Sequence, residues 1–157
     1  MGFKPRPRHG MSWSAMRKIL ERENICDSLK GRVQYFQTRY TEAHDHRGRI
    51  AIRVDGNEIF KACYFEQGDG FKTNGQVWVD SSFYGAFYEY HNSSIENSLE
   101  SSDPLVRLFA IMDRRIGKRR LDKIQQEVVK QPEWLQIFFK LRLEAEGFLT
   151  EKRTEQA

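Results

Sequence analysis

The densest group of side chains able to do chemistry is a run of cations between residues 107 and 123. Seven arginines and lysines stand there against two aspartates. Such a cluster can neutralise a phosphate, an acidic partner, or acidic residues of the same chain such as Glu96, Glu100 and Asp103. The candidate anion-binding residues within the run are Arg114, Arg115, Lys118, Arg119 and Arg120.

Gly117 divides this run and leaves two interpretations open. Arg114 and Arg115 fit the C-terminal end of a helix, where cations oppose the negative end of the helix dipole. If Gly117 breaks the helix, the cations at 118–120 begin the next helix, where each is unfavourable by ~0.3–1 kcal/mol. If the helix continues through Gly117, the glycine costs ~1 kcal/mol relative to alanine. The structural and the anion-binding interpretations therefore carry equal weight here.

A second group of cations accompanies aromatic residues in a predicted sheet. Arg49 and Arg53 alternate along one predicted strand, and the strand before it contains Arg32, Tyr35, Phe36, Arg39 and Tyr40. Such a face can stack bases and hold phosphates, so Arg49 and Arg53 join the candidate anion-binding residues. The favoured alternative is an exposed sheet face whose arginines pair with Glu42, Glu58 or Glu66.

Metal binding and catalysis find weaker support. Glu42, His44 and His46 occupy alternate positions of a polar stretch, with His91 as the one further candidate ligand. A hydrated loop explains them better, so we predict no metal site and no cofactor. Cys63, His91, Asp55 and Glu58 could serve acid–base or nucleophilic chemistry.

No catalytic motif connects these four residues, so no residue is predicted to be catalytic. Cys63 follows Ala62 in a strand pattern and is predicted to pack in the core. The chemistry-bearing residues must therefore be judged by the elements that position them.

The elements predict an α+β fold: an N-terminal helix, an antiparallel sheet of three to four strands, then a layer of four to five helices. Ser12 can cap the first helix, which should end near Asn24. Strands are predicted at 32–40, 49–54 and 57–65, with Asp55-Gly56 as a hairpin turn. A short fourth strand is predicted at 76–79, after a glycine-rich loop at 68–75.

From residue 80 the apolar period becomes helical. Phe83, Phe87 and Tyr90 mark one helix, and Ser93 with Glu96 has the spacing of a capping box for the next. Asp103 followed by Pro104 predicts the start of a third helix in this region. Two more helices are predicted, one marked by Leu121, Ile124 and Val128, and one carrying Trp134, Ile137, Phe138, Leu141 and Ala145 up to Gly147.

Three runs of residues resemble a family of short bacterial proteins without an assigned activity. They are MSWSAMRKILE, GRVQYFQTRYTEAHDHRGRIAIRVDGNEIF and SDPLVRLFAIMDRRIGKRRL. The resemblance covers residues 11 to about 125. It implies a self-contained bacterial domain and transfers no site residue. The family begins at the position of Met11, and a translation start at Met1 or at Met11 stays open.

Composition sets the class of protein. The chain has 157 residues, 39% of them apolar, which predicts one folded domain over 11–149, a flexible basic arm at 1–10 and a polar tail at 150–157. The net charge is +4 and falls to +1 without the arm. Two cysteines and no long apolar run predict a reduced, cytoplasmic protein without membrane attachment.

Together these features predict a non-enzymatic binding protein that engages an anionic partner, with nucleic acid as the first candidate. Two alternatives stay open. One is a small enzyme with its site in a cleft between sheet and helices, and the other is an interaction module for an acidic protein.

Overall fold

A computed structural model describes residues 11–38, 49–63, 71–73, 76–78 and 80–148. The predicted basic arm, the polar tail and the stretch with Glu42, His44 and His46 lie outside these residues. The side chains of residues 63 and 71–80 also lie outside the description. The predictions for them, including the buried Cys63, stay predictions.

The N-terminal helix begins as the sequence predicts. The hydroxyl of Ser12 accepts a hydrogen bond from the amide of Ala15 at 3.1 Å and caps α1, Trp13–Lys18. A π-helical segment, Ile19–Glu23, extends the helix to Asn24, and a 3-10 turn follows at Asp27–Leu29.

The predicted meander is confirmed. Strands β1 (Val33–Thr38), β2 (Arg49–Val54) and β3 (Asn57–Cys63) are antiparallel in the order β1-β2-β3. Asp55 and Gly56 both have positive φ, 52° and 88°, as the two-residue turn between β2 and β3 requires. The alternation of β2 directs its isoleucines into the core, where Ile52 pairs with Tyr35 on β1 and Phe60 on β3.

The predicted fourth strand is present, but it does not join the sheet formed by β1, β2 and β3. Strand β5, Gln76–Trp78, pairs with β4, Phe71–Thr73, and the two form a separate two-stranded sheet. The sequence prediction placed 71–73 in a loop, and that was wrong. A three-residue strand has too little pattern of its own, because its partner decides whether its backbone pairs.

The helical layer is also confirmed. It comprises α2 (Asp80–His91), α3 (Ile95–Leu99), α4 (Pro104–Ile111), α5 (Lys118–Ile124), a 3-10 segment (Gln125–Lys130) and α6 (Glu133–Ala145). Asp103 caps α4 by accepting from the amide of Leu105 at 2.9 Å. One cap is corrected: Ser94, not Ser93, accepts from Asn97 at the start of α3, so the capping-box spacing was misleading.

The core lies between the meander and the helices. Helix α4 is buried on nearly all sides and contacts α2, α3 and α6. On α6, Ile137 is 49% exposed, which corrects the predicted stripe; the buried positions are Trp134, Leu135, Phe138, Phe139, Arg142 and Leu143. None of the described helices has the length and hydropathy needed to cross a membrane.

Candidate anion-binding site

The loop between α4 and α5 carries the first half of the cation run. Helix α4 ends at Ile111, and Gly117 is the residue before α5, with extended backbone. The helix therefore does not continue through Gly117, and Lys118 begins a new helix. Arg114 and Arg115 lie in the loop rather than at a helix C-terminus, so the dipole does not explain their charges.

Backbone pairing ties this loop to the end of the N-terminal helix. Ile25 and Asp113 form an isolated antiparallel bridge. The amide of Arg114 donates to the carbonyl of Asn24 at 2.7 Å, and that of Cys26 donates to Met112 at 2.9 Å. The position of the cations is thus set by contacts between distant parts of the chain.

A buried arginine holds the loop from the other side. The guanidinium of Arg142, on α6, donates to the carbonyls of Ile111 at 2.7 Å, Asp113 at 3.0 Å and Ile116 at 2.7 Å. Its Nε donates to Glu146 at 3.1 Å. Only 2% of Arg142 is exposed, and a charge so buried requires such bonds to be tolerated.

Arg115 is paired with a buried carboxylate, although its own side chain is 46% exposed. Its Nε and Nη2 donate to the two carboxylate oxygens of buried Asp113 at 2.9 and 2.7 Å. The hydroxyl of Tyr90 also donates to Asp113, and Asn24 donates to that hydroxyl at 2.9 Å. The hydrogen bonds to Asp113 raise the pKa of Arg115, and burial raises the pKa of Tyr90. Arg115 is therefore the counter-ion of a buried carboxylate.

Arg120 is partly neutralised. Its Nη2 lies 3.1 Å from Glu96, and both side chains are substantially exposed. The pKa of Glu96 is lowered, first by a hydrogen bond from its own backbone amide and then by Arg120. The other terminal nitrogen of Arg120, Nη1, is buried with no hydrogen-bond partner in the described part of the chain. This pairing is one of the intramolecular outcomes that the sequence left open.

Five cations of the run have no ion pair among the described residues: Arg107, Arg114, Lys118, Arg119 and Lys123. Arg107 is partly buried and donates to Gln131 and to the carbonyl of Ser101. Arg114 donates its Nε to the carbonyl of Glu23 at 2.7 Å, which is a neutral acceptor. Lys118 and Arg119 are exposed, and within the described ranges neither has an ion pair. We call Arg114, Lys118 and Arg119 the open patch. Lys123 lies one helical turn beyond Arg119 and adds a like charge on the same side of α5.

The sheet arginines are placed differently. Arg49 donates to both carboxylate oxygens of Glu58, at 3.2 and 2.7 Å. The guanidinium of Arg53 lies 4.1 Å from the centre of the Phe36 ring and 3.9 Å from Glu58. Hydrogen bonding from Arg49 lowers the pKa of Glu58. These residues lie on the meander, whereas the open patch lies on the 112–117 loop and α5.

A cleft of about 660 Å³ adjoins the open patch and shares Arg114 and Lys118 with it. Within the cleft, the Ser28 hydroxyl donates to Oε2 of Glu146 at 2.9 Å and lies 3.4 Å from the Cys26 sulfur. The cleft is lined by Cys26, Asp27, Ser28, Arg114, Ile116, Gly117, Lys118, Arg142 and Glu146. It opens between the 3-10 turn, the loop and the end of α6, not between sheet and helices.

Three of the candidates for catalysis, Asp55, Glu58 and His91, are each held by a separate contact, and the side chain of the fourth, Cys63, lies outside the description. Asp55 is bound by Arg32 at 3.0 and 2.9 Å, which lowers the pKa of Asp55. Glu58 is bound by Arg49, and His91 stacks on the ring of Phe87 at 5.4 Å. Among the described residues, no group of three histidines, cysteines or carboxylates could hold a metal ion.

Sequence reasoning missed Ser28, Arg142 and Glu146. Arg142 left a signal, because it falls on the same helical stripe as the buried Leu135, Phe138 and Phe139. A charged residue at a buried position must find partners, and Glu146 is one turn away. Ser28 left none, because its contact with Glu146 spans 118 positions.

The chain matches the model of the SF0329 protein family over residues 12–76 and 66–143, and it belongs to that family. The match includes the loop, α5 and most of α6. No curated protein and no solved structure matches the chain at a significant level.

Proposed function

We propose that this member of the SF0329 protein family is a non-enzymatic binding protein that engages nucleic acid through the open patch. The supporting observation is that Arg114, Lys118 and Arg119 carry charges that no described carboxylate neutralises. Lys118 and Arg119 also begin α5, where the positive end of the helix dipole makes them unfavourable. An external anion would offset this cost.

Phosphate is the anion that such a patch suits. Arginine and lysine form charge-assisted hydrogen bonds to phosphate oxygens, and each neutralised phosphate releases counter-ions from the nucleic acid. Contacts of this kind position the strand but read little sequence. The affinity is therefore expected to depend steeply on salt and weakly on base sequence.

The test is a salt titration of fluorescent oligonucleotide binding by the wild type and by the double variant Lys118→Gln, Arg119→Gln. The slope of log K against log salt should fall by about 1 for each phosphate that the variant no longer neutralises. Because both side chains are exposed, the free energy of unfolding should change by less than about 0.5 kcal/mol.

A matched control separates the patch from net charge. The double variant Arg22→Gln, Lys140→Gln removes one exposed arginine and one exposed lysine elsewhere, neither with an ion pair among the described residues, and changes the net charge equally. Its salt slope should equal that of the wild type. An equal loss in both double variants would show that net charge, not the open patch, carries binding. Absence of binding by the wild type at low salt would reject nucleic acid as the partner.

A further inference from the structure

We infer that the cleft beside the open patch holds one nucleotide of a single RNA strand, with its phosphate at Arg114 and Lys118 and its ribose 2′-hydroxyl at Glu146. This inference rests on the proposed function and adds the class of nucleic acid. It is carried by one cleft that joins two cations without a described ion pair to a carboxylate oxygen that accepts no hydrogen bond from the described residues.

The shape of the site favours a single strand. The cleft is an open depression of about 660 Å³. A nucleotide of a flexible single strand can be splayed out into such a depression, whereas the bases of a duplex stay stacked and paired. The open patch continues from the rim and can hold the neighbouring phosphates.

The cationic side of the cleft suits the phosphate. The Nε of Arg114 is bound to a carbonyl, and its two terminal nitrogens have no bond among the described residues. Lys118 is exposed and has no described ion pair. Two such cations at one rim can share a phosphate through charge-assisted hydrogen bonds.

The acidic side of the cleft suits a hydroxyl donor. Both hydrogen bonds that Glu146 accepts, from Ser28 and Arg142, go to Oε2. In the described part of the chain, Oε1 receives none, although the side chain is only 17% exposed. A carboxylate with a free lone pair beside a phosphate site can accept from a ribose hydroxyl. The 2′-hydroxyl is what distinguishes RNA from DNA.

The other residues that line the cleft indicate which parts of a nucleotide the cleft does not bind. Asp27 also lines the cleft, but its side chain is 97% exposed and lies 3.9 Å from Lys30, so its charge is screened by solvent and opposed by that cation. None of the lining residues is aromatic, so the cleft offers no ring on which a base could stack. Recognition is therefore of sugar and phosphate, and a preference for RNA should not depend on base identity.

The experiment measures the dissociation constants of RNA and DNA strands of the same sequence and length. The wild type should bind the RNA strand roughly tenfold more tightly, the ratio that about 1.4 kcal/mol of hydrogen bonding gives. Glu146→Gln should bring the two constants within about twofold. Its amide oxygen can still accept from Ser28 and Arg142, while its NH₂ group replaces the free acceptor.

Arg119→Gln provides the matched comparison, because Arg119 belongs to the open patch but does not line the cleft. It should weaken RNA and DNA binding by the same factor and leave their ratio unchanged. Should Glu146→Gln fail to fold, competition on the wild type gives the same information. Ribose 5-phosphate should displace the RNA strand at lower concentration than 2-deoxyribose 5-phosphate.

The possible results distinguish failure of the RNA inference from failure of the proposed function. Equal binding of RNA and DNA by the wild type would overturn the inference and leave the proposed function in place. A preference for RNA that survives in Glu146→Gln would also overturn the inference, since Oε1 would not be its cause. No binding of either strand would overturn the proposed function together with the inference.

Discussion

Two groups of cations on this protein are similar in sequence and differ in the folded chain. Arg49 and Arg53 share the carboxylate of Glu58, and Arg53 also lies over the ring of Phe36, so their charges are partly compensated. Arg114, Lys118 and Arg119 have no described carboxylate against them. A count of basic residues includes both groups alike, but the sheet cations share a carboxylate, whereas the second group has none against it in the described part of the chain.

The comparison teaches that local partners, rather than the number of cations, decide where a protein presents charge. The same holds between neighbours in the chain. Arg115 is the counter-ion of buried Asp113, whereas the Arg114 side chain donates to a backbone carbonyl and has no ion pair in the described part of the chain. Variants that remove the partner of an arginine should therefore change how much positive charge is available for binding.

The largest effect is expected from Arg142→Met. This change removes the donors to three carbonyls of the loop that carries Arg114, and it leaves Glu146 without its buried cation. The free energy of unfolding should fall by about 3–5 kcal/mol, the usual cost of breaking a buried charge network. Urea denaturation measures it. Lys140→Met is the control, because Lys140 is an exposed residue on the same helix, and its free energy of unfolding should lie within about 0.5 kcal/mol of the wild type. A similarly small loss for Arg142→Met would contradict the role of Arg142 in holding the loop.

A smaller effect is expected from Glu58→Gln. The carboxylate is partly buried and binds Arg49, so its loss should cost about 1–2 kcal/mol, between the values for exposed and buried charged pairs. Arg53, which loses its ion pair with Glu58, should add to the salt slope of nucleic-acid binding. If the salt slope does not change, Glu58 is not what makes the charge of the sheet arginines unavailable to a partner.

Glu58 also predicts a dependence on pH. Hydrogen bonding from Arg49 lowers the pKa of Glu58 below its ordinary 4.5 in the folded protein. Its contribution to stability is therefore complete above pH 4.5 and is lost as the pH falls through the folded-state pKa. Urea denaturation of wild type and Glu58→Gln at several pH values should show their stability difference shrinking below pH 4.5, and a constant difference would contradict the assignment.

The smallest effect on stability is expected from Glu96→Gln, which removes the exposed partner of Arg120. The melting temperature should change little, because exposed pairs contribute little. Arg120 should then join the open patch, and the salt slope should rise by up to about 1. Glu100→Gln is the control: it removes the same charge nearby from a residue with no ion pair in the described chain. An equal rise in both variants would indicate net charge rather than release of Arg120.

Much of the fold follows from the sequence because its signals are local. Ser12 and Asp103 cap helices through atoms a few residues away, and Asp55-Gly56 forms its turn from its own backbone preferences. The wrong predictions also came from local patterns, and in each case a different contact forms in the folded chain. Ser93 has the right spacing but Ser94 forms the cap, and residues 71–73 become a strand because 76–78 pair with them.

The candidate site follows from the sequence only in part. The run of cations is visible in the sequence, and so is the ambiguity at Gly117. Which cations remain uncompensated is not visible, because Arg120 pairs with Glu96 across 24 positions and Arg49 with Glu58 across a hairpin. The cleft is hidden for the same reason, since Ser28 and Glu146 meet only when the chain has folded.

By itself, the sequence determined the order of helices and strands, the hairpin and the presence of a cationic run, because periodicity and capping act over a few residues. The tertiary structure decided which charges stay available and where a cleft forms beside them. The physical reason is that a charge is compensated by whatever lies within a few ångströms, and in this chain those neighbours come from distant segments.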